Sequence, residues 1–322
     1  MPRRVFMLGA TGTIGRATVR ALAARGHEVV CFVRPGRASI SALSVPGVTV
    51  REGMISDAAS LSRDGFRGEH FDVLVSCMAS RTGTPRDAWA IDHQAHVHAL
   101  AAAKTAGVEH VVLLSAICVQ KPLLAFQQAK LAFERVLMDS GLTWSIVRPT
   151  AFFKSLSGQV QRVRNGKPYL VFGDGTLTAC KPISDGDLAA FIADCLDDPA
   201  KQQRVLPIGG PGEAMTPRQQ GEQLFALLGQ APRFKHVPVA LLDAIIGVLA
   251  AVGRIVPSVA DKAQLARIGR YYATESMLVW DASAQRYDAD ATPSTGDETL
   301  EQYFAKLLRG EARDDRGEHA VF

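Results

Sequence analysis

Apolar and polar positions along this chain follow two alternating rhythms. Short, nearly unbroken apolar runs occur at Val5 to Leu8, Glu28 to Val33, Val48 to Arg51, Asp72 to Cys77, His110 to Ser115 and Trp144 to Val147. Their length and density predict strands buried on both faces of a parallel sheet. Between them lie segments of helical spacing. From Gly15 onward Ala17, Leu22 and Ala23 share an inner face, and further helices are predicted through Leu61, over roughly Arg86 to Ala106, and around Phe126 to Lys130. Strand and helix in repeated alternation predict an α/β domain built on a doubly wound parallel sheet. Beyond residue 155 the rhythm breaks into a mixed lobe. A short strand, Tyr169 to Phe172, meets the turn Gly173-Asp174-Gly175, a helix runs from Asp185 to Leu196, and Arg204 to Ile208 reads as one more sheet strand. Thr216-Pro217-Arg218-Gln219 is a capping box with proline at the first helical position. The predicted organisation is a sheet domain over 1–155 with additions from about 180–210, a smaller mixed C-terminal lobe over 156–309, and a solvated, charge-rich tail at 310–322.

The first strand-to-helix junction carries the strongest chemical signal. It reads Gly9-Ala10-Thr11-Gly12-Thr13-Ile14-Gly15. Glycines at 9, 12 and 15 allow a tight turn, a close approach of backbone to a pyrophosphate, and packing of the helix on the sheet, while the helix N-terminus offers N–H groups to the anion. A bare glycine triplet also marks ordinary turns, but the strand before it, the helix after it and a second strand at βαβ spacing point to a dinucleotide site on a Rossmann-type fold. The second strand ends in Cys31-Phe32-Val33-Arg34-Pro35-Gly36-Arg37, with Arg34 in place and no carboxylate nearby. A basic residue here suits the extra phosphate of NADPH; otherwise Arg34 is simply exposed at a strand end. Asp57 either borders the adenine or caps the helix through Leu61. Cys77, Met78 and Ala79 would pass beside the cofactor at the carboxyl edge of the sheet.

Composition narrows the class. The 322 residues are 47% hydrophobic, ample for a well-buried core, and 36 basic against 32 acidic residues leave a net charge of only +4. That balance excludes nucleic acid as the main partner. Cys31, Cys77, Cys118, Cys180 and Cys195 show no paired spacing and read as reduced core residues of a cytoplasmic protein. The first strand starts at once, so no signal or transit peptide is expected. His93, His96 and His98 lie on one predicted helix, but no acid or cysteine completes a metal site, and a solvated face is expected. Pro238 to Val256 is apolar apart from Asp243 and Arg254. It is read as a buried or substrate-facing helix, with peripheral contact at a membrane surface as the alternative; the internal acid, the flanking glycines and prolines and the lack of a second such segment argue against a true span.

The strand-to-helix glycines, the serine closing the fifth strand, Lys130 on the next helix and Arg148-Pro149 after the sixth strand together resemble the extended and atypical short-chain dehydrogenase/reductases. Further stretches narrow the resemblance: Leu113-Leu114-Ser115-Ala116-Ile117-Cys118-Val119-Gln120-Lys121-Pro122, Arg148-Pro149-Thr150-Ala151-Phe152-Phe153-Lys154-Ser155-Leu156, Cys180-Lys181-Pro182-Ile183-Ser184, Tyr271-Tyr272-Ala273-Thr274-Glu275-Ser276-Met277-Leu278 and Tyr287-Asp288-Ala289-Asp290-Ala291-Thr292-Pro293-Ser294. These look like the 8-vinyl reductases of divinyl chlorophyllide or protochlorophyllide, over residues 1 to about 308. The resemblance implies NADPH as cofactor, a magnesium tetrapyrrole as substrate, and a cytoplasmic site of action, in peripheral contact with the photosynthetic membrane if the apolar helix serves that purpose.

One departure is informative. Common short-chain dehydrogenases use Tyr-x-x-x-Lys, yet here Lys130 follows Phe126. A phenyl ring has no proton to give, so alkoxide-forming carbonyl reduction is disfavoured, whereas hydride added to a conjugated vinyl group leaves charge spread over a macrocycle. The resemblance implies that Lys130 positions the nicotinamide ribose and that Ser115 either touches the nicotinamide or substrate or caps its turn. Pro149, Phe152 and Phe153 would wall the nicotinamide end, and Phe126, Tyr271, Tyr272 and Trp280 would line an apolar pigment slot; core packing suits these aromatics equally. Two other readings compete: a non-catalytic NADP(H)-sensing regulator or assembly factor, and an isoflavone-reductase-like double-bond reductase acting on a phenolic ligand.

Overall fold

A computed structural model describes residues 1–36 and 43–312. Arg37 and the part of the predicted tail from 313 to 322 lie outside them. The chain divides into two units, Met1–Ser80 with Pro85–Pro149 and Asp185–Pro207, and Arg81–Thr84 with Thr150–Ser184 and Ile208–Phe322. The break falls at Pro149, before the predicted residue 155, and the predicted return of the chain to the sheet near 180–210 is narrowed to 185–207.

The first unit is organised by a seven-stranded sheet. Its strands are β1 (Arg4–Leu8), β2 (Glu28–Val33), β3 (Val48–Glu52), β4 (Val73–Ser76), β5 (His110–Leu114) and β6 (Thr143–Pro149), with Arg204–Ile208 on the far edge, in the order β3-β2-β1-β4-β5-β6 and then the edge strand. All five pairings among β1 to β6 are parallel. The order reverses between β1 and β4, which opens a crevice at the carboxyl ends of those two strands, where such sheets take their ligands. Every side chain of β4 is buried, as are all but the first of β1 and β2, because helices cover both faces. Phe6, Phe32, Phe66 and Phe71 fill one layer of this core, with Phe6 and Phe66 stacked at 3.8 Å between ring centroids.

The helix α1 (Thr13–Ala24) starts at the turn after β1, and further along α2 (His96–Thr105) covers only the second half of the helix that the sequence pattern predicts over roughly Arg86 to Ala106. Between Pro85 and α2 the backbone widens into a π-helical turn over Trp89–Ala95. His96, at the start of α2, is buried rather than on a solvated face. Its Nδ1 donates to the Ile91 carbonyl at 2.9 Å, so its Nε2 accepts from the Ser76 hydroxyl at 2.8 Å, and the neutral ring is fully satisfied. His110 is equally buried. Ser145 donates to the Lys201 carbonyl, which leaves His110 Nε2 to donate to Ser145 at 3.1 Å. All five cysteines are free thiols, four of them buried, as expected of core residues.

The second unit packs its own core from Phe153, Val163, Tyr169, Leu224, Phe225 and Phe304 among others. Tyr169–Phe172 pairs in parallel with Phe234–Val237 in a two-stranded sheet. The predicted capping box is present: the Thr216 hydroxyl accepts the Gln219 N–H. The stretch Cys180–Ser184 is held tightly, since a Cβ on Gly210 would meet the Pro182 carbonyl oxygen at 1.9 Å and Lys181 Nζ donates to the Thr292 carbonyl at 2.9 Å. The apolar helix at Val239–Gly253 is not the buried helix that was one of its expected readings, for none of its residues is buried. It packs beside the helix Pro257–Thr274, and Asp243 pairs with Arg270 there.

Burial lowers the pKa of His96 and His110 from 6.5 to about 4. Between those values the unfolded chain takes up protons that the fold refuses, so stability is full above about pH 6.5 and is lost as pH falls toward 4. Urea unfolding should show about 1–2 kcal/mol lost per histidine between pH 7 and pH 5. His96→Gln should remove its share of that slope; an unchanged slope would show that His96 does not stay neutral in the fold.

Candidate functional site

At the carboxyl end of β1 the chain turns sharply into α1, and glycine is required there by backbone geometry. Gly9 has φ +73°, and a Cβ on it would meet the Cys77 carbonyl carbon at 2.4 Å and the Met78 nitrogen at 2.5 Å. A Cβ on Gly15 would strike the Gly9 carbonyl oxygen at 2.0 Å. Gly12 is different: a Cβ would find only the Gly9 oxygen at 3.5 Å, an ordinary contact, and the residue is exposed. Its lack of a side chain therefore clears space on the solvent side, where a pyrophosphate would lie. Gly12 is also the N-cap of α1, with no side-chain cap and no acidic residue in the first turn. The N-terminus thus offers its N–H groups and positive dipole end to an anion. Arg16 adds a cation, with Nη1 donating to the Thr11 carbonyl at 2.7 Å. These features fit a dinucleotide phosphate, and Thr11, Thr13 and Ile14 complete the turn.

Cys77, Met78 and Ala79 follow β4 past this turn. The Cys77 N–H donates to the Leu8 carbonyl at 3.0 Å, and burial raises its thiol, which faces Thr18 at 3.7 Å, to about 12. Cys77 therefore stays protonated. Met78 sends its side chain into the core, so it presents backbone alone to the turn, while Ala79 is exposed. Asp57 accepts the Ala59 N–H and is a helix cap. Arg34 is exposed at the end of β2. The expected absence of a carboxylate beside it fails in three dimensions, because Glu52 lies opposite Val33 on β3 and accepts the Gly36 N–H at 2.9 Å. That contact occupies part of the acceptor capacity that would otherwise face a ribose.

A second cluster sits on α3 (Ala125–Met138), the helix after β5. Phe126, Lys130 and Glu134 recur every four residues and so share one face. Lys130 Nζ lies 2.9 Å from Asp92 Oδ1, and the Asp92 side chain is fully buried on the wide π-helical turn. The same oxygen accepts the Ser80 N–H at 3.1 Å, while Asp92 Oδ2 has no partner. The ammonium is thereby fixed on the residues that follow β4. Phe126, one helical turn before it, is 9% exposed and carries no proton donor.

Ser115, expected either to touch the nicotinamide or substrate or to cap its turn, directs its hydroxyl to a buried carboxylate. It is 5% exposed, and its hydroxyl donates to Glu134 Oε1 at 2.5 Å. Glu134 is fully buried and also takes Arg148, whose Nε lies 3.2 Å from the same oxygen. Ser115, Glu134 and Arg148 thus lock the ends of β5 and β6 to α3, next to buried Pro149. Arg16, Asp92 and Glu134 were not singled out from sequence. For Glu134 the spacing of four from Lys130 was the available signal; for Asp92 there was none, because its partner is 38 positions away.

In the second unit, Phe153 belongs to the core, 5.4 Å from the Tyr303 ring, the packing role that the sequence leaves equally open for it. Phe152 is half-buried and bridges to Ile183. Tyr271 is buried against Tyr272, which is 37% exposed, and Trp280 meets Tyr287 at 4.8 Å. Among the described residues no group of three His, Cys, Asp or Glu side chains is arranged to hold a metal ion.

Residues 9–199 match the NAD(P)H-binding family. A chloroplastic divinyl chlorophyllide a 8-vinyl-reductase of Oryza sativa subsp. indica is 50% identical, over 99% of this chain and 82% of that protein. The chloroplastic enzyme of the same name from Arabidopsis thaliana is 49% identical, over 98% of this chain and 79% of that protein. The chain belongs to the divinyl chlorophyllide a 8-vinyl-reductase family. Among solved structures, an NADPH-dependent quinone oxidoreductase of Escherichia coli, complexed with NADPH, shares the fold with a TM-score of 0.66. It is 20% identical, covering 94% of this chain and 99% of the other.

For this member of the 8-vinyl-reductase family, two measurements probe the site. Glu134→Ala leaves the Arg148 guanidinium and the Ser115 hydroxyl without their buried acceptor, and urea unfolding should report a loss of about 3–5 kcal/mol. Arg34→Asp should weaken NADPH by about tenfold or more while changing NADH little, measured by fluorescence titration. Equal losses for both nucleotides would clear Arg34 of the phosphate role.

Proposed function

We propose that this protein uses NADPH to reduce the 8-vinyl group of a divinyl chlorophyll precursor to an ethyl group, the activity for which its relatives are named. One observation carries the chemistry: on the α3 face that holds Lys130, the position one turn earlier is Phe126, where carbonyl reducers place a phenol. Reduction of a vinyl group needs one hydride and one proton, and no alkoxide forms. The negative charge left by the hydride spreads over the conjugated macrocycle and is quenched by a proton from water or another side chain, so the acid need not sit at residue 126.

When bound, NADPH supplies the hydride. The chain's own residues bind and orient it. The turn from Gly9 to Gly15 and the first N–H groups of α1 take the pyrophosphate, and Arg34 takes the additional phosphate. The backbone of Cys77, Met78 and Ala79 borders the cofactor. Lys130, fixed by Asp92, orients the nicotinamide ribose and adds positive charge near the site where negative charge develops. We assign Ser115 to supporting α3 through Glu134, not to contact with the reacting atoms. Phe152, Tyr272 and Trp280 remain the residues of the second unit that we assign to the flat apolar pigment, with Tyr271 supporting Tyr272 from its buried position. We also place the protein at the surface of a photosynthetic membrane, a reading supported by the apolar helix Val239–Gly253, none of whose side chains is buried.

Purified protein with NADPH should shift the absorption of divinyl chlorophyllide a or divinyl protochlorophyllide a to that of the monovinyl pigment. No shift with either pigment, using folded protein, removes the proposal. Lys130→Ala should lower turnover by about 100-fold or more with the fold intact. Unchanged turnover would show that the ammonium serves only its ion pair.

A further inference from the structure

The helix Val239–Gly253 is the least explained element of the second unit. Fifteen residues long, it carries Asp243 as its one charge, and not one of its side chains is buried. Leu241, Ile245, Val248 and Val252 are all exposed and recur at spacings of four, three and four, which aligns them in a single stripe about 16 Å long. Ile255 and Val256 extend the stripe past the helix end, with Val248 65% and Ile255 85% exposed. Scattered apolar residues are normal on a surface, but a continuous stripe of six marks a contact face.

The charges around the stripe indicate what it meets. Asp243 is neutralised by Arg270 on the neighbouring helix. From Arg233 to Arg270 there are six basic residues, Arg233, Lys235, Arg254, Lys262, Arg267 and Arg270, against Asp243 and Asp261. This segment therefore has a net charge of +4, the same as the whole chain, and the rest of the protein sums to zero. Lys235, Arg254 and Lys262 are exposed. A second copy docking here would bring like charges together, whereas an anionic lipid surface complements them. Length points the same way. At 1.5 Å per residue the helix is about 22 Å long, too short to cross a bilayer but suited to lying in its interface.

We propose that the exposed stripe of the Val239–Gly253 helix, with Ile255 and Val256, docks the protein onto an anionic bilayer, its apolar side chains entering the acyl boundary and the flanking lysines and arginines meeting the headgroups. This rests on the placement of the protein at a membrane surface and names the surface responsible. The arrangement would hold the protein where a lipophilic pigment partitions.

Co-sedimentation with phosphatidylglycerol/phosphatidylcholine vesicles, compared with pure phosphatidylcholine, tests it. The wild-type protein should bind the anionic vesicles and lose most binding in 0.5 M salt. Val248→Asp with Val252→Asp should weaken binding at least tenfold, and Arg254→Glu with Lys262→Glu should do so on the anionic vesicles, with circular dichroism unchanged in both. Both variants should keep wild-type turnover on detergent-dispersed pigment, so that a failure of docking and a failure of the enzymatic assignment are read separately. Wild-type protein that ignores anionic vesicles, or variants that bind like wild type, overturns the proposal. So does a wild-type dimer in sedimentation velocity that Val248→Asp with Val252→Asp dissolves, since a second copy then covers the stripe. Turnover lost on dispersed pigment with vesicle binding intact would give the face to the substrate and overturn it equally.

Discussion

The close approach of three backbone segments at the carboxyl edge of the sheet is the constraint on which the rest depends. The start of α1 presses on the Gly9 carbonyl, and Gly9 presses on the peptide between Cys77 and Met78. No side chain fits at 9 or 15, so the turn, the helix N-terminus and the exit from β4 can occupy one place only when both positions are glycine. That contact brings the anion-receptive helix end next to the strand whose continuation carries Ser80. Ser80 in turn hydrogen bonds to Asp92, and Asp92 holds Lys130. The glycine turn and the Lys130 ammonium are thus linked through a short chain of backbone and buried polar contacts.

Two buried carboxylates do the positioning on α3, and they do it differently. Asp92 fixes the ammonium of Lys130 from outside the helix, leaving one oxygen without a partner. Such an arrangement fixes the lysine at the expense of an incompletely satisfied acid. Glu134 is more fully engaged. It gathers Ser115 and Arg148 and so turns the serine and Arg-Pro stretches of the resemblance into braces for the helix. A serine that closes a strand beside a cofactor site looks catalytic in sequence, but the nearest strong acceptor decides where its proton points. Phe126 shares this face and supplies only apolar surface, which fits a reaction that asks for no acid there.

The expectations that failed did so for a common reason. His96 is expected on a solvated face because no acid or cysteine near it completes a metal site, yet it is buried and bonded to Ser76, directly after the π-helical turn at Trp89–Ala95. Arg34 seemed free of carboxylates because Glu52 is 18 positions away in sequence, although strand pairing sets it opposite Val33. Phe153, which the sequence leaves open to a cofactor wall or to core packing, is core, and the helix at Val239–Gly253, for which burial, a substrate-facing place and membrane contact are all open, buries none of its residues. In each case the local pattern leaves the distant partner unspecified.

The sequence by itself determined the sheet strands, the glycine turn with its dinucleotide chemistry, the family and the missing phenol at residue 126. These are local: strand burial, turn geometry and the identity of one side chain are written in consecutive residues or at a fixed helical spacing. The tertiary structure alone decided that Asp92 holds Lys130, that Glu134 claims Ser115, that Glu52 comes up beside Arg34, and that the apolar helix is left uncovered. Those outcomes depend on which distant segments the packed sheet and helices bring within a few ångströms of each other, and no spacing along the chain encodes that distance.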